Sequence, residues 1–129
     1  MESIVMSTAA VEDRTLLIVE DDKPFLTRLA RAMEGRGYEV TTAESVEDAV
    51  AAVREAPPAF AVIDMRLGDG NGLDVVAAIR EKRDDSRVII LTGYGNIATA
   101  VTAVKLGAID YLSKPADADE IHAALTRIP

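Results

Sequence analysis

Leu16-Leu17-Ile18-Val19-Glu20-Asp21-Asp22 decides the fold. Four aliphatic residues in succession fit a strand covered on both faces, as in a parallel sheet, better than one with a wet face. The run ends abruptly in three carboxylates, so its C-terminal end reaches a polar rim. Phe60-Ala61-Val62-Ile63 before Asp64, and Val88-Ile89-Ile90-Leu91 before Thr92, repeat the pattern. Glu39-Val40-Thr41-Thr42-Ala43 is weaker and alternating, and Tyr111-Leu112 is very short, so both suit sheet edges.

Helical patterns lie between and after these runs. Pro24 to Arg36 carries Phe25, Leu29 and Met33 on one stripe. Pro24 suits a first turn, Asp22 is placed to cap it, and Gly35 and Gly37 close it. Ser45 to Ala56 opens with Ser45-Val46-Glu47-Asp48, a capping-box-like start with Asp in the final position, and stops at Pro57-Pro58. Leu73 to Lys82, Asn96 to Leu106 and Asp117 to Arg127 are the remaining helices. Strands alternating with single helices predict an α/β (βα)5 unit with right-handed crossovers and helices on both faces. Placing the continuous runs at the centre gives a five-stranded parallel sheet of order 2-1-3-4-5. Its ligand crevice then lies beyond the strand ends, between the first and third strands.

The composition agrees. At 129 residues, with 49% hydrophobic and 28% charged residues, the chain suits one domain with a real core. It has no Cys, which removes disulfides and thiolate chemistry, and its one His excludes a His-rich metal site. The net charge of −8 speaks against nucleic acid or an anionic membrane as a direct partner of this segment. No apolar run is long enough for a membrane span, and Met1 to Arg14 lacks the features of a secretory signal. Residues 1–13 read as a flexible tail and 14–128 as the domain. A cytoplasmic setting fits the absence of Cys.

The predicted rim gathers Glu20, Asp21 and Asp22 after the first strand, Asp64 after the third, Thr92 and Gly93 after the fourth, and Ser113-Lys114-Pro115 after the fifth. Carboxylates from adjacent strands repel unless something neutralises them. Mg2+ does this with oxygen ligands and keeps waters for phosphate oxygens. Lys114 adds a cation and Thr92 a hydroxyl donor. This is equipment for phosphoryl transfer, with Asp64, at the end of a central strand, as the nucleophile. Singly, each residue has an ordinary reading as a solvated group or a cap; their joint appearance at four strand ends carries the functional one. Competing motifs fail on spacing. Gly68-Asp69-Gly70-Asn71-Gly72 is neither GxGxxG after the first strand nor an EF-hand, and Arg66 stands where a haloacid-dehalogenase-type phosphatase has its second Asp.

The motifs Leu17-Ile18-Val19-Glu20-Asp21-Asp22, Val62-Ile63-Asp64-Met65-Arg66-Leu67, Leu91-Thr92-Gly93-Tyr94 and Asp110-Tyr111-Leu112-Ser113-Lys114-Pro115 resemble the receiver domain of bacterial two-component response regulators. The resemblance spans about residues 14 to 128 and implies the flavodoxin-like receiver fold. It implies that Asp64 is the phosphoacceptor and that Mg2+ is held by Glu20, Asp21, Asp64 and the Arg66 backbone carbonyl, with Asp21 the more direct ligand of the acidic pair. Lys114 would pair with the phosphoryl oxygens, across a Lys114–Pro115 bond that is usually cis in this family. Thr92 and Tyr111 would form the switch pair, and Arg66 and Tyr94 would modulate phosphoryl lifetime; both are bulky here, which points to slow self-hydrolysis. The donor would be a phosphohistidine on a sensor histidine kinase. Residues 65–74 and Ala116-Asp117-Ala118-Asp119 look more narrowly like the redox-responsive RegA/PrrA/ActR regulators, in which a Pro-rich linker and a helix-turn-helix DNA-binding domain follow. On that likeness the chain is a receiver segment of a longer regulator, reaching DNA only through that further domain.

Many receivers have Pro where this chain has Gly68, so the glycine-rich loop is expected to be unusually flexible. On the fourth helix, Asn96, Thr99, Thr102 and Lys105 form a narrow polar stripe, and apolar residues including Ile97 and Val101 cover the rest. That excess over one core-facing stripe points to a partner face around Ile97, Val101 and Lys105, with a homodimer formed on phosphorylation. The first helix exposes Thr27, Arg28, Arg31 and Glu34, as a kinase-docking face or an ordinary solvated one. His122 reads as a surface or boundary residue. Two other functions remain open from sequence alone: a receiver-like interaction module that is never phosphorylated, and a Mg2+-dependent phosphohydrolase.

Overall fold

The computed structural model of the protein describes residues 13–93 and 97–127. The five aliphatic runs form strands β1 (Thr15–Val19), β2 (Glu39–Ala43), β3 (Phe60–Asp64), β4 (Arg87–Thr92) and β5 (Asp110–Ser113). They pair in parallel in the order β2-β1-β3-β4-β5, the predicted 2-1-3-4-5 sheet. Helices α1 (Lys23–Glu34), α2 (Val46–Glu55), α3 (Gly72–Lys82), α4 (Ile97–Lys105) and α5 (Ala118–Thr126) fill the crossovers and follow the last strand. None of the described helices is long and apolar enough to cross a membrane.

Strand alternation builds two cores. Leu16, Ile18, Val62, Ile89 and Leu91 point to α1 and α5, where they meet Leu26, Leu29, Met33, Ile121 and Leu125. Leu17, Val19, Ala61, Ile63, Val88 and Ile90 point the other way, against Val53 of α2, Val75, Val76 and Ile79 of α3, and Ala103 of α4. Each fully buried aliphatic side chain contributes roughly 1.5–3 kcal/mol. This explains why the central strands are uninterrupted apolar runs. On α1 the buried stripe is Leu26, Leu29 and Met33. Phe25, expected at its start, is only half-buried and turns toward the strand-end rim.

The caps expected at Asp22 and Ser45 form, and Asp117 adds one that the sequence reading did not name. Asp22 accepts from the Phe25 N–H at 3.2 Å, and Asp117 and Glu120 make a reciprocal capping box on α5. Ser45 accepts from the Asp48 N–H at 3.0 Å. Gly37 adopts φ 92°, the left-handed geometry that lets the chain turn from α1 into β2. His122, read as a boundary residue, is half-buried, with Nδ1 2.8 Å from the Tyr38 hydroxyl. Arg80 clamps α3 to the α4–β5 loop by donating to the carbonyl of Gly107.

The glycine-rich stretch takes a defined path. It forms a two-rung antiparallel hairpin, Arg66–Leu67 against Gly70–Asn71, that turns at Gly68-Asp69. Asp69 ties the turn to α2 by accepting from the N–H groups of Val46 (2.9 Å) and Glu47 (3.1 Å). These two donors hold the Asp69 carboxyl below the usual carboxylate range.

Asp13 lies at the end of the stretch read as a tail. It accepts from the Thr15 hydroxyl at 2.7 Å and the Thr15 N–H at 3.0 Å, and pairs with Arg83 at 2.8 Å. The Thr15 bonds and then Arg83 lower its pKa to about 2. A depressed folded-state pKa stabilises the protein above the unfolded value, and this contribution is lost as pH falls through the folded one. Asp13→Asn therefore lowers stability at pH 7, by less than about 1 kcal/mol because the pair lies at the surface and is partly exposed. In urea titrations the deficit shrinks between about pH 4 and pH 2; a deficit that is constant with pH would contradict the assignment.

Candidate functional site

β1 and β3 lie side by side and parallel, so their C-terminal ends open on the same rim. The Glu20 N–H donates to the Ala43 carbonyl at 3.0 Å, which extends the β1–β2 pairing one step and carries Glu20 inward. Glu20 is 1% exposed and Asp64 5%, whereas Asp21 is exposed. Carboxylate oxygens of Glu20, Asp21 and Asp64 all lie within 4.8 Å of one another.

Lys114 arrives from the end of β5. Its N–H donates to the Thr92 carbonyl at 2.8 Å, and the Lys114–Pro115 bond is cis. Its ammonium lies 2.8 Å from Glu20 Oε1 and 3.4 Å from Asp64 Oδ2, and 5.7 Å from the Phe25 ring centre. Burial pushes the Glu20 pKa up, and the Asp64 charge adds to this, against the opposing pull of Lys114 and the Asp22 N–H. For Lys114 burial disfavours the charge, but the close contact with Glu20 and the charges of Asp64 and Glu20 outweigh it and raise its pKa.

One ammonium does not balance three carboxylates. Glu20 Oε1 is buried and within ion-pair range of Lys114, yet it has no aligned hydrogen bond. Such a set of hard oxygen donors with excess negative charge fits a small divalent cation.

The remaining predicted residues fall around this cluster. The Arg66 N–H donates to Asp64 Oδ1 at 3.4 Å, while the Arg66 side chain is exposed. Thr92 is buried, and its hydroxyl donates to the Gly93 carbonyl at 2.8 Å. Tyr111 is half-buried against the core of the α2–α4 face. Tyr94 and the Ile97 side chain lie outside the described residues. Val101 and Lys105 are exposed on α4. Val101 (43%), Val104 (41%), Leu106 (44%) and Ile109 (40%) leave a run of large apolar side chains in water there.

A cleft of about 330 Å³, lined by Asp22, Phe25, Arg28, Lys114 and Pro115, opens beside the cluster. Phe25, read on the apolar stripe of the first helix, packs partly against the core and also forms part of this wall, which the sequence did not signal.

The model of the response regulator receiver domain matches residues 16–126. The chain belongs to that family. The acid tolerance regulatory protein ActR of Sinorhizobium medicae is 67% identical to this receiver over 117 residues, 91% of this chain and 60% of ActR. The photosynthetic apparatus regulatory protein RegA of Cereibacter sphaeroides is 59% identical over 127 residues, 98% of this chain and 68% of RegA. The receiver thus spans about 60% of the length of the ActR proteins it matches. A response regulator from Burkholderia pseudomallei, solved with a phosphorylated aspartic acid, a calcium ion and citrate, superposes with a TM-score of 0.83 at 40% identity. That match covers 88% of this chain and 67% of the other. The chain is a two-component response regulator receiver domain with the flavodoxin-like receiver fold, and its close relatives include the ActR and RegA regulators.

Gly72 lets the receiver site close. A Cβ there would stand 2.5 Å from the Asp64 carbonyl oxygen and 2.7 Å from Ile63 Cγ2. Gly72→Ala must push the start of α3 off the end of β3. We expect a loss of about 1–3 kcal/mol in urea unfolding, and unchanged stability would contradict this packing.

Proposed function

We propose that Asp64 accepts a phosphoryl group from a phosphohistidine of a sensor histidine kinase in a Mg2+-dependent reaction. The observation that carries this reading is the Glu20–Asp21–Asp64 cluster with the Lys114 ammonium between two of its carboxylates. Glu20, Asp21, Asp64 and the Arg66 backbone carbonyl are the residues to hold the cation. When bound, Mg2+ neutralises charge on the phosphoryl oxygens.

A carboxylate oxygen of Asp64 attacks phosphorus and forms the acyl phosphate as the bond to the imidazole nitrogen breaks. The departing histidine keeps the electron pair of that bond. Lys114 stays beside the product and pairs with a phosphoryl oxygen. The domain therefore catalyses only its own phosphorylation and, by water attack, its dephosphorylation. Arg66 and Tyr94, two residues after Asp64 and Thr92 in the sequence, are the bulky positions that make self-hydrolysis slow.

The new group adds about −1.5 to −2 charge. Thr92 leaves the Gly93 carbonyl to donate to the phosphoryl group, and Tyr111 turns further inward. The α4–β5–α5 surface changes with them, and its exposed Val101, Val104, Leu106 and Ile109 suit a second copy or an output segment. Transcriptional control would run through a DNA-binding segment, since the receiver itself is acidic. The cytoplasm is the compartment that this reading implies.

Intact mass after incubation with acetyl phosphate and Mg2+ tests the assignment. We expect one phosphoryl adduct on the wild type and none on Asp64→Asn. An adduct that persists on Asp64→Asn would overturn it.

A further inference from the structure

The Arg66–Asn71 hairpin reaches the site at one end and α2 at the other. At the site, the Arg66 N–H donates to Asp64 Oδ1 at 3.4 Å and the Gly72 N–H to the Met65 carbonyl at 2.8 Å. At the turn, Asp69 Oδ1 accepts from the Val46 N–H and Oδ2 from the Glu47 N–H, at 2.9 and 3.1 Å. These two N–H groups lie in the first turn of α2, where no intrahelical acceptor exists.

Capping alone does not call for a residue so far along the chain. Ser45 already serves the Asp48 N–H, and water can serve exposed donors. A carboxylate brought from 22 and 23 residues away does what a local cap cannot: it fixes the turn that carries it. Leu67 before the turn is buried in the core, and Asn71 after it caps α3 by accepting from the Leu73 N–H at 2.9 Å, so what Asp69 adds is a hold on the turn itself. The hairpin has two rungs, and Val46 Cγ2 lies 3.3 Å from where a Gly70 Cβ would stand, but among the described residues nothing lies within 4 Å of where a Gly68 Cβ would stand.

We propose that Asp69 is a positioning residue for the phosphorylation site: by clamping the hairpin turn to the N-terminus of α2, it sets the Arg66 backbone beside Asp64 and so orients the Asp64 carboxylate. This rests on Asp64 as the phosphoacceptor. The clamp acts through rigidity. Without it the turn samples other positions, the Arg66 N–H leaves Oδ1, and ordering the hairpin becomes a cost of every event at the site.

Gly68 provides an independent handle. It lacks the positive φ of Gly37 and Gly107, and it comes after Leu67 in an extended strand. Proline is compatible with both conditions and stiffens a turn without touching α2. Gly68→Pro should therefore restore what Asp69→Ala loses.

The test compares wild type, Asp69→Ala, Asp69→Asn, Asp69→Ala/Gly68→Pro and Ser45→Ala. Amide exchange of Arg66 is followed in the metal-free protein, Mg2+ affinity by calorimetry, and the phosphorylation rate with acetyl phosphate at saturating Mg2+. We expect Asp69→Ala to speed Arg66 exchange on the order of tenfold and to weaken Mg2+ binding by about tenfold. Asp69→Asn, which keeps one acceptor oxygen, should fall between, and the proline double variant should return toward wild type. Ser45→Ala removes a cap on the same helix and should lower the melting temperature while leaving Arg66 exchange and Mg2+ affinity unchanged. If Asp69→Ala behaves like Ser45→Ala, Asp69 is a cap only and the proposal falls. If wild type gains no phosphoryl group, it is the phosphoacceptor assignment that fails, while exchange and calorimetry still judge the clamp.

Discussion

Three carboxylates crowded at the ends of β1 and β3 are the constraint on which this structure turns. Carboxylate oxygens of Glu20, Asp21 and Asp64 lie within 4.8 Å of one another, and unit negative charges that close repel by something on the order of 3 kcal/mol per pair at an effective dielectric near 20. Burial of Glu20 makes the arrangement costlier still. Lys114 offsets part of this by sitting within 2.8 and 3.4 Å of two of them. The result is a site poised to bind positive charge and, once that is supplied, to receive an anion. Function is thus held as unrelieved electrostatic strain in a small, otherwise well-packed domain.

The rest of the fold exists to keep that crowding from relaxing. The aliphatic faces of β1, β3 and β4 bury the strands against helices on both sides, so the strand ends cannot splay to let the acids apart. The parallel order delivers Glu20 and Asp64 from neighbouring strands, and Thr92 and Lys114 from the next two. A single missing Cβ, at Gly72, lets α3 start directly under the Asp64 carbonyl. Apolar side chains are left in water on α4 and before β5, and on the proposed reading Thr92 and Tyr111 would couple that surface to the site.

Most of this was legible in the sequence because the deciding signals are local. Uninterrupted aliphatic runs mark strands buried on both faces, and the polar residues at the end of each run name the rim. Asp22 and Ser45 announce their helices by position alone. The features that stayed hidden depend on contacts that only the folded chain makes. The hairpin at Arg66–Asn71 has strands of two residues, too short for any periodicity. A glycine-rich stretch therefore reads as loose in sequence, although Asp69 bonds it to α2. Phe25 falls on the helical period of the core, yet it borders the cleft because Leu26 takes the buried position beside Leu29. The meeting of Tyr38 with His122 spans 84 residues and has no local signature.

We expect the carboxylates to repel in the free domain and a divalent cation to resolve the repulsion. Urea unfolding with and without Mg2+ measures this directly, because a ligand that binds only the native state adds stability in proportion to the logarithm of its concentration. We expect wild-type stability to rise steadily with Mg2+, and Asp21→Asn to be at least as stable as wild type in chelator and to gain little from Mg2+. Wild-type stability independent of Mg2+, or an Asp21→Asn variant that is less stable in chelator yet responds fully to the cation, would contradict this expectation.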